Sequence, residues 1–412
     1  MSSVLSEAAV SSAGWLRREE ERLFGRYAVA AQRFPRLFRF RVPIVVVVYL
    51  AIAFVAQDLN GPGGDAFVFA VAGNTLLSSH WADTFASSNL QSGPLFVLLE
   101  GIGLRLGSAL GVRYWIGGGL VTALAVASLM VVACRTAFAV YRLDSRTAAV
   151  REFGMCIVFA LTGGLWVVAM YAHPDDLLVT LLLLIAAGRA ATGRHGQAGV
   201  IFGLAAGVKL WALIAIAVLL IRASRRASIQ AVSVAAATVA LCYGPFIVFG
   251  RFEMFRGGWQ IEHDAPLNLI FHDGTGFTWQ LRLFQAALAA TVGLVVLFRT
   301  RGRNCAIWLV PAAAIAARLL LDPRNIAYYY PPVLVCLLLG QWARGRLTTF
   351  GNSLVTGVWM VFGLCVFAIT SGVVASWWVV AFCVGVIVLA IRYGSHEVRS
   401  DQPQSQDLPV AS

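Results

Sequence analysis

The stretch GLAAGVKLWALIAIAVLL, residues 203–220, sets the only lysine of the 412-residue chain in a run of small and apolar side chains. Basic loops flank it: RAATGRHGQ (189–197) before and RASRRAS (222–228) after. Arginine-rich loops of a membrane protein collect on the cytoplasmic side, yet a single apolar span would put these two on opposite sides. Two short helices joined around Gly207-Val208-Lys209 return the chain to the side it left. Each would hold about 12 residues and measure ~18 Å at 1.5 Å per residue, against a hydrocarbon core of ~30 Å. The turn then lies below the far surface, where irregular backbone survives only within protein walls or beside a wet cavity. Lys209 is expected in a pocket, pointed outward. Snorkelling to the interface is the plainer fate of a lysine near a helix end.

Composition supports the membrane reading. Hydrophobic residues make up 59% of the chain and charged residues 13%, with a mean hydropathy of +0.77. A soluble protein of this length carries a more charged surface. The net charge of +12 would suit a nucleic-acid binder, but the arginines sit in short loops between apolar runs, which is the positive-inside pattern. The seven cysteines (134, 156, 242, 305, 336, 365 and 383) form no CxxC pair and read as apolar packing.

The expected fold is an all-α polytopic bundle of about twelve transmembrane helices. Spans fall near 43–57, 114–140, 153–171, 177–190, 197–208, 210–222, 228–250, 281–298, 305–320, 330–343, 352–371 and 376–392. Residues 1–42 form a basic cytoplasmic segment, with eight arginines between Trp15 and Arg41, suited to lie on anionic lipid or simply to fix topology. Residues 43–392 form the membrane domain, and 393–412 a cytoplasmic disordered tail. No cleavable signal is evident, so the first span serves as its own anchor. Long outer loops are expected at 58–113 and 251–280. Residues 94–109 are read as a helix at the outer surface, because a further span there would put YRLDSRTAAVRE (141–152) outside. AFVFAVAGNTLL, after Asp65, has the pattern of a short amphipathic helix.

Several ionisable groups share the expected outer side. Asp65 follows the first span, with Asp58 as a rival carboxylate. The turn YAHPDDLLV holds His173, Asp175 and Asp176, where helix capping is an equal explanation for the two aspartates. RLLLDPRNIAYYYPP brings Arg318 and Arg324 beside three tyrosines, which also suits an interfacial aromatic belt. The 251–280 loop adds His263 and Asp264 among aromatic residues, a combination that suits a sugar. No ligand spacing there is diagnostic of a metal. Acids that can take a hydroxyl proton and cations that can hold a phosphate suit a lipid-linked phosphate donor attacked by a polar acceptor.

In order and sidedness these motifs (GDAFVFAVAGNTLL, GPLFVLLEGIGLRLG, YAHPDDLLVTLLLL, AGVIFGLAAGVKLWALIAI and DPRNIAYYYPPVLVCLLL) resemble the GT-C superfamily of polyprenyl-phosphate-dependent glycosyltransferases. The likeness is to the bacterial cell-envelope mannosyltransferases of the glycosyltransferase 87 type. It spans roughly residues 43–345. The resemblance implies an inverting transfer of a sugar, mannose by likeness, from a polyprenyl phosphate to an envelope glycolipid or glycan. It implies Asp65 as the catalytic base, Lys209, Arg324 and Arg318 at the donor phosphate, and His173, Asp175, Asp176, Asp58, His263 and Asp264 about the acceptor pocket. It implies no cofactor or metal, no nucleic acid, partners that are membrane lipids and the two substrates, and a plasma-membrane protein with both termini inside and the site outside. Phe67 and Phe69 stand where many relatives have tyrosine, and Leu210 where many have proline. That puts acceptor contacts and turn geometry in question without removing a charge. A transporter or flippase is the main competing class, but no second copy of the GVKLW break supports the paired broken helices of such proteins. A non-catalytic envelope scaffold would leave the lysine and the HPDD turn without a purpose.

Overall fold

The computed structural model describes residues 38–61, 65–344 and 373–396. Nearly all of the basic N-terminal segment, the expected span at 352–371 and nearly all of the C-terminal tail lie outside the described residues.

Helix α1 (Arg41–Asn60) is apolar all round, so hydropathy does not say which face turns inward. Packing does. Val45, Tyr49, Ala53 and Ala56 are buried, while Val47, Phe54, Val55 and Leu59 remain exposed, as side chains facing lipid do. A short helix, α2 (Ala66–Leu76), begins directly after Asp65. It leads through a 3₁₀ turn at Trp81–Phe85 to α3 (Pro94–Ala109), started by Pro94 at its first position. This is the helix expected at 94–109.

α3 crosses α4 (Tyr114–Val140) almost backbone to backbone. A Cβ added at Gly103 would sit 2.6 Å from the carbonyl oxygen of Gly117, and one at Gly73 2.6 Å from the amide nitrogen of Gly101. Small residues permit such approach where no hydrophobic drive separates helix from lipid. α5 (Ser145–Leu161) and α6 (Gly164–Met170) meet at a 53° bend. Gly163 supplies the bend with φ +78°, a value that glycine adopts without a steric cost.

α7 (Asp175–Ala191) is the centre of the molecule, buried at every position except Arg189. It packs against α4, against α8 (His195–Val208), against a 3₁₀ segment at Leu210–Leu220, and against α11 (Ala306–Leu320) and α12 (Pro331–Arg344). α8 lays Gly199, Gly203 and Gly207, spaced four apart, against α9 (Arg225–Phe249). α8 ends at Val208, Lys209 is extended at φ −161° and ψ 130°, and the 3₁₀ segment starts at Leu210 with a kink at Ala215. The two short elements thus meet at the lysine. α10 (Trp279–Arg299) and α13 (Val373–His396) complete the bundle.

The loop before α10 carries a two-stranded antiparallel ribbon, β1 (Trp259–Gln260) with β2 (Gly276–Phe277), in which Trp259 faces Phe277. The fold is therefore helical apart from this ribbon among the described residues. Twelve spans are not reached by length and composition there. Four helices, α1, α4, α9 and α10, are long and apolar enough to cross a membrane alone, and α5 with α6 would make a fifth. α7, of 17 residues, is shorter and walled by protein. A helix packed on all sides by other helices has no need to match bilayer thickness.

Candidate active site

The site begins where α6 turns into α7. Ala172 takes a left-handed φ of 57°, and Pro174 precedes the first turn of α7, so His173, Asp175 and Asp176 leave one short segment in different directions. Both aspartates are fully buried. The amides of a helix start favour carboxylates, but burial of two charges demands partners as well.

The partners form a chain in which acid and base alternate. Asp65 Oδ2 lies 2.6 Å from His173 Nε2, and His173 Nδ1 lies 3.3 Å from Asp175 Oδ1. Lys209 Nζ bridges Asp175 Oδ2 at 2.9 Å and Asp176 Oδ2 at 3.1 Å. Arg318 approaches Asp176 at 3.7 Å and Asp322 at 3.4 Å, and Arg282 closes the row on Asp322 at 3.2 Å. An imidazole between two carboxylates donates from both nitrogens only when it is charged. Burial disfavours that charge, but Asp175 and Asp65 outweigh burial and raise the His173 pKa above its usual 6.5. The hydrogen bond from His173 in turn lowers the pKa of Asp65.

Aromatic rings hold the row in place. Tyr328 stacks on His173 with centroids 4.2 Å apart, and Phe69 meets the same ring edge-on at 5.2 Å. The Arg318 guanidinium lies over both Trp211 and Tyr329 at 4.9 Å. The Trp211 indole N–H donates to Asp176 Oδ1. Ser92 Oγ donates to Asp175 Oδ2 at 2.6 Å. It reaches that far because Gly93 lies against the break: its amide donates to Val208 O at 2.7 Å, and a Cβ there would sit 2.3 Å from Gly207 O.

The residues singled out in the sequence do not all come together. His173, Asp175, Asp176, Lys209 and Arg318 share this row with Asp65, whose side chain is 55% exposed at its open end. Lys209, 12% exposed, already contacts two carboxylates. Arg324 stands nearer solvent, 46% exposed and 3.1 Å from Glu262. Asp58 pairs at 3.5 Å with Arg113 on the surface, apart from the row. The carbonyl of Asp264 accepts from Asn325 and that of His263 from Asn268, which ties the loop together through main-chain rather than side-chain oxygens. Ser92, Trp211, Arg282, Asp322 and Tyr328 were not singled out. Asp322 and Tyr328 stand in the quoted DPRNIAYYYPP stretch, but nothing in their spacing distinguishes them. No group of three or more His, Cys, Asp or Glu side chains able to hold a metal occurs among the described residues.

An apolar cavity of about 510 Å³ runs between the 210–220 segment and α9, lined by Leu210, Leu213, Ile216, Val239, Tyr243 and Phe252 among others. Its end at Leu210 and Tyr243 lies by the chain break at Lys209, although none of the row's own side chains lines it. Leu210 follows Lys209, and Tyr243 Oη donates to Ala206 O beside Gly93.

Residues 93–260 match the family model of glycosyltransferase family 87. Over that segment the chain is similar to glycosyltransferase family 87. The match covers less than half of the chain, but it takes in the HPDD turn, the Lys209 break and Trp211. Asp65, Arg318 and Arg324 fall outside it. No curated protein matches the chain. The match supports a membrane glycosyltransferase in general terms, and the apolar helices agree with a membrane protein.

Proposed function

We propose that this glycosyltransferase moves a sugar, mannose by family resemblance, from a polyprenyl phosphate to an envelope glycolipid or glycan on the outer face of the membrane. Asp65 carries the reading. One of its oxygens is held by His173, and Oδ1 has no partner among the described residues. In this mechanism the acceptor hydroxyl passes its proton to Oδ1 while its oxygen attacks the anomeric carbon. The bond from that carbon to the phosphate oxygen breaks, and the polyprenyl phosphate leaves with the electron pair. The configuration inverts, as a direct displacement requires.

Lys209 acts as a positioning residue in this scheme. Its two carboxylate contacts use up its charge, and they fix the aspartate that steadies His173. Arg318 is balanced in the same way by Asp176 and Asp322. Arg324 is the group able to exchange a half-exposed partner, Glu262, for the donor phosphate. Guanidinium suits this task because its fork can grip two phosphate oxygens. The 510 Å³ apolar cavity supports a lipid-borne donor, since it reaches the break beside Lys209 and its lining is almost entirely hydrocarbon. His263 and Asp264, in the loop that also carries Glu262, stand at the rim for the acceptor. The proposal invokes no metal and puts both termini in the cytoplasm.

The test compares wild type with Asp65→Asn, purified in detergent, on polyprenyl-phosphate sugars and a glycolipid acceptor. General-base assistance is commonly worth about 10²–10⁴ in rate, so turnover is expected to drop by that factor with donor binding unchanged. Full transfer by the variant removes Asp65 from the base role.

A further inference from the structure

The opposite end of the molecule, where α7 finishes, carries an excess of positive charge that the glycosyl-transfer reading leaves unused. Three turns meet there. Arg222 ties them together, its guanidinium donating to Ala191 O at 3.3 Å, to Gly302 O at 3.0 Å and to Asn304 Oδ1 at 2.7 Å. These turns bring Arg189, Arg194 and His195 beside Arg225 and Arg226 and beside Arg299, Arg301 and Arg303. The sequence has no acidic residue between Asp176 and Glu253 or between Asp273 and Asp322. None of the eight arginines is in a salt bridge among the described residues.

A second observation points to a ligand. Arg189 Nε, Arg303 Nη1 and His195 Nδ1 are buried without a hydrogen-bond partner among the described residues, and His195 is itself nine-tenths buried. A buried donor left unpaired is costly, so groups of this kind are expected to have an acceptor when the protein is in its membrane. The turns are flanked by exposed apolar side chains, Ile229 on α9 and Val295 and Phe298 on α10. α9 and α10 both pack on the 210–220 segment.

We propose that this end binds the phosphate head group of an anionic membrane lipid, with its acyl chains along α9 and α10. Phosphate is the acceptor chemistry that the arginines call for, and the apolar flanks favour a lipid over free phosphate. The head-group contacts lie apart from the charged row around Asp65.

The experiment uses the full chain in neutral detergent and reads lipid binding by native mass spectrometry and thermal shift. Its arms are phosphatidylglycerol, phosphatidylcholine and inorganic phosphate alone. Phosphatidylglycerol is expected to bind at least tenfold tighter than phosphatidylcholine. Each arginine near a membrane surface contributes about 1 kcal/mol, or roughly fivefold, toward an anionic lipid. Exposed Arg194→Gln and Arg226→Gln together should therefore weaken binding by about 25-fold without unfolding the protein. Arg303→Lys, which keeps charge near the unpaired donors, should retain most of it, and Arg256→Gln at the other end should change nothing. Equal binding of the two lipids, an equal loss in Arg256→Gln, or full occupancy by inorganic phosphate would each overturn the proposal.

Discussion

His173 touches two carboxylates, and this decides how the site titrates. Burial works against its charge, while Asp175 and Asp65 together raise its pKa above 6.5. The pair's contribution to stability is full below about 6.5 and fades as pH rises through the raised value. Asp65, lowered from 3.8 by its bond to His173, contributes above that value and loses its share as pH falls through the lowered one. A carboxylate bonded to imidazolium is a weak base, so loss of the His173 proton strengthens Asp65. The expected outcome is a rise in kcat/KM with pH above 6.5 that His173→Gln abolishes. Superimposable profiles for the two proteins would refute the coupling. Lys209 is tested at the same scale. Removing one partner of a buried ion pair costs about 3–5 kcal/mol, so Lys209→Met should lower thermal stability steeply. Adding Asp176→Asn, which leaves the His173 contacts intact, should recover much of the loss. A stable Lys209→Met protein with weakened donor binding would instead put the lysine on the donor phosphate. The sequence marked Lys209 as exceptional through its isolation among arginines. It did not show that the lysine's partners are Asp175 and Asp176, because residues 33 or more positions apart meet only through packing.

At the scale of elements, close helix approach keeps the break in place. A Cβ at Gly203 would fall 2.4 Å from Thr238 Cβ, and one at Gly199 2.4 Å from Ala231 O. Neither neighbour is the free end of a flexible chain, so α8 and α9 must part to admit a side chain. Overpacking of this kind costs about 1–3 kcal/mol. Gly203→Ala is expected to lower Tm in detergent, whereas Gly196→Ala, whose methyl meets Gln230 Nε2 at 3.4 Å, should leave it nearly unchanged. Equal effects would mean that the interface yields. The spacing G-x₃-G-x₃-G from Gly199 to Gly207 is visible in the sequence and signals such an interface. It was the basic loops, not these glycines, that located the break. α2 and α3 were also legible, the first from its apolar pattern and the second from charge sidedness. The ribbon at Trp259 was not, since strands of two residues leave no periodicity to read.

Across the whole molecule, hydropathy cannot separate lipid from protein as apolar surroundings. α7 reads as a membrane helix, and it sits at the centre with α4, α8, α11 and α12 about it. Meanwhile α1, α9 and α10 turn much of their apolar surface outward. Composition and charge pattern alone determined that this is a helical membrane protein, that the chain breaks at Lys209, and which acids and bases were candidates for chemistry. Those properties follow from local free energies: apolar transfer, the cost of a lone charge at depth, and the side preference of arginine. Only the tertiary structure decided that Asp65 joins the buried row and Asp58 does not, that Lys209 is neutralised by its neighbours, and that Arg324 pairs with Glu262 nearer solvent. Such pairings depend on distances set by several helices at once, and no single stretch of sequence contains them.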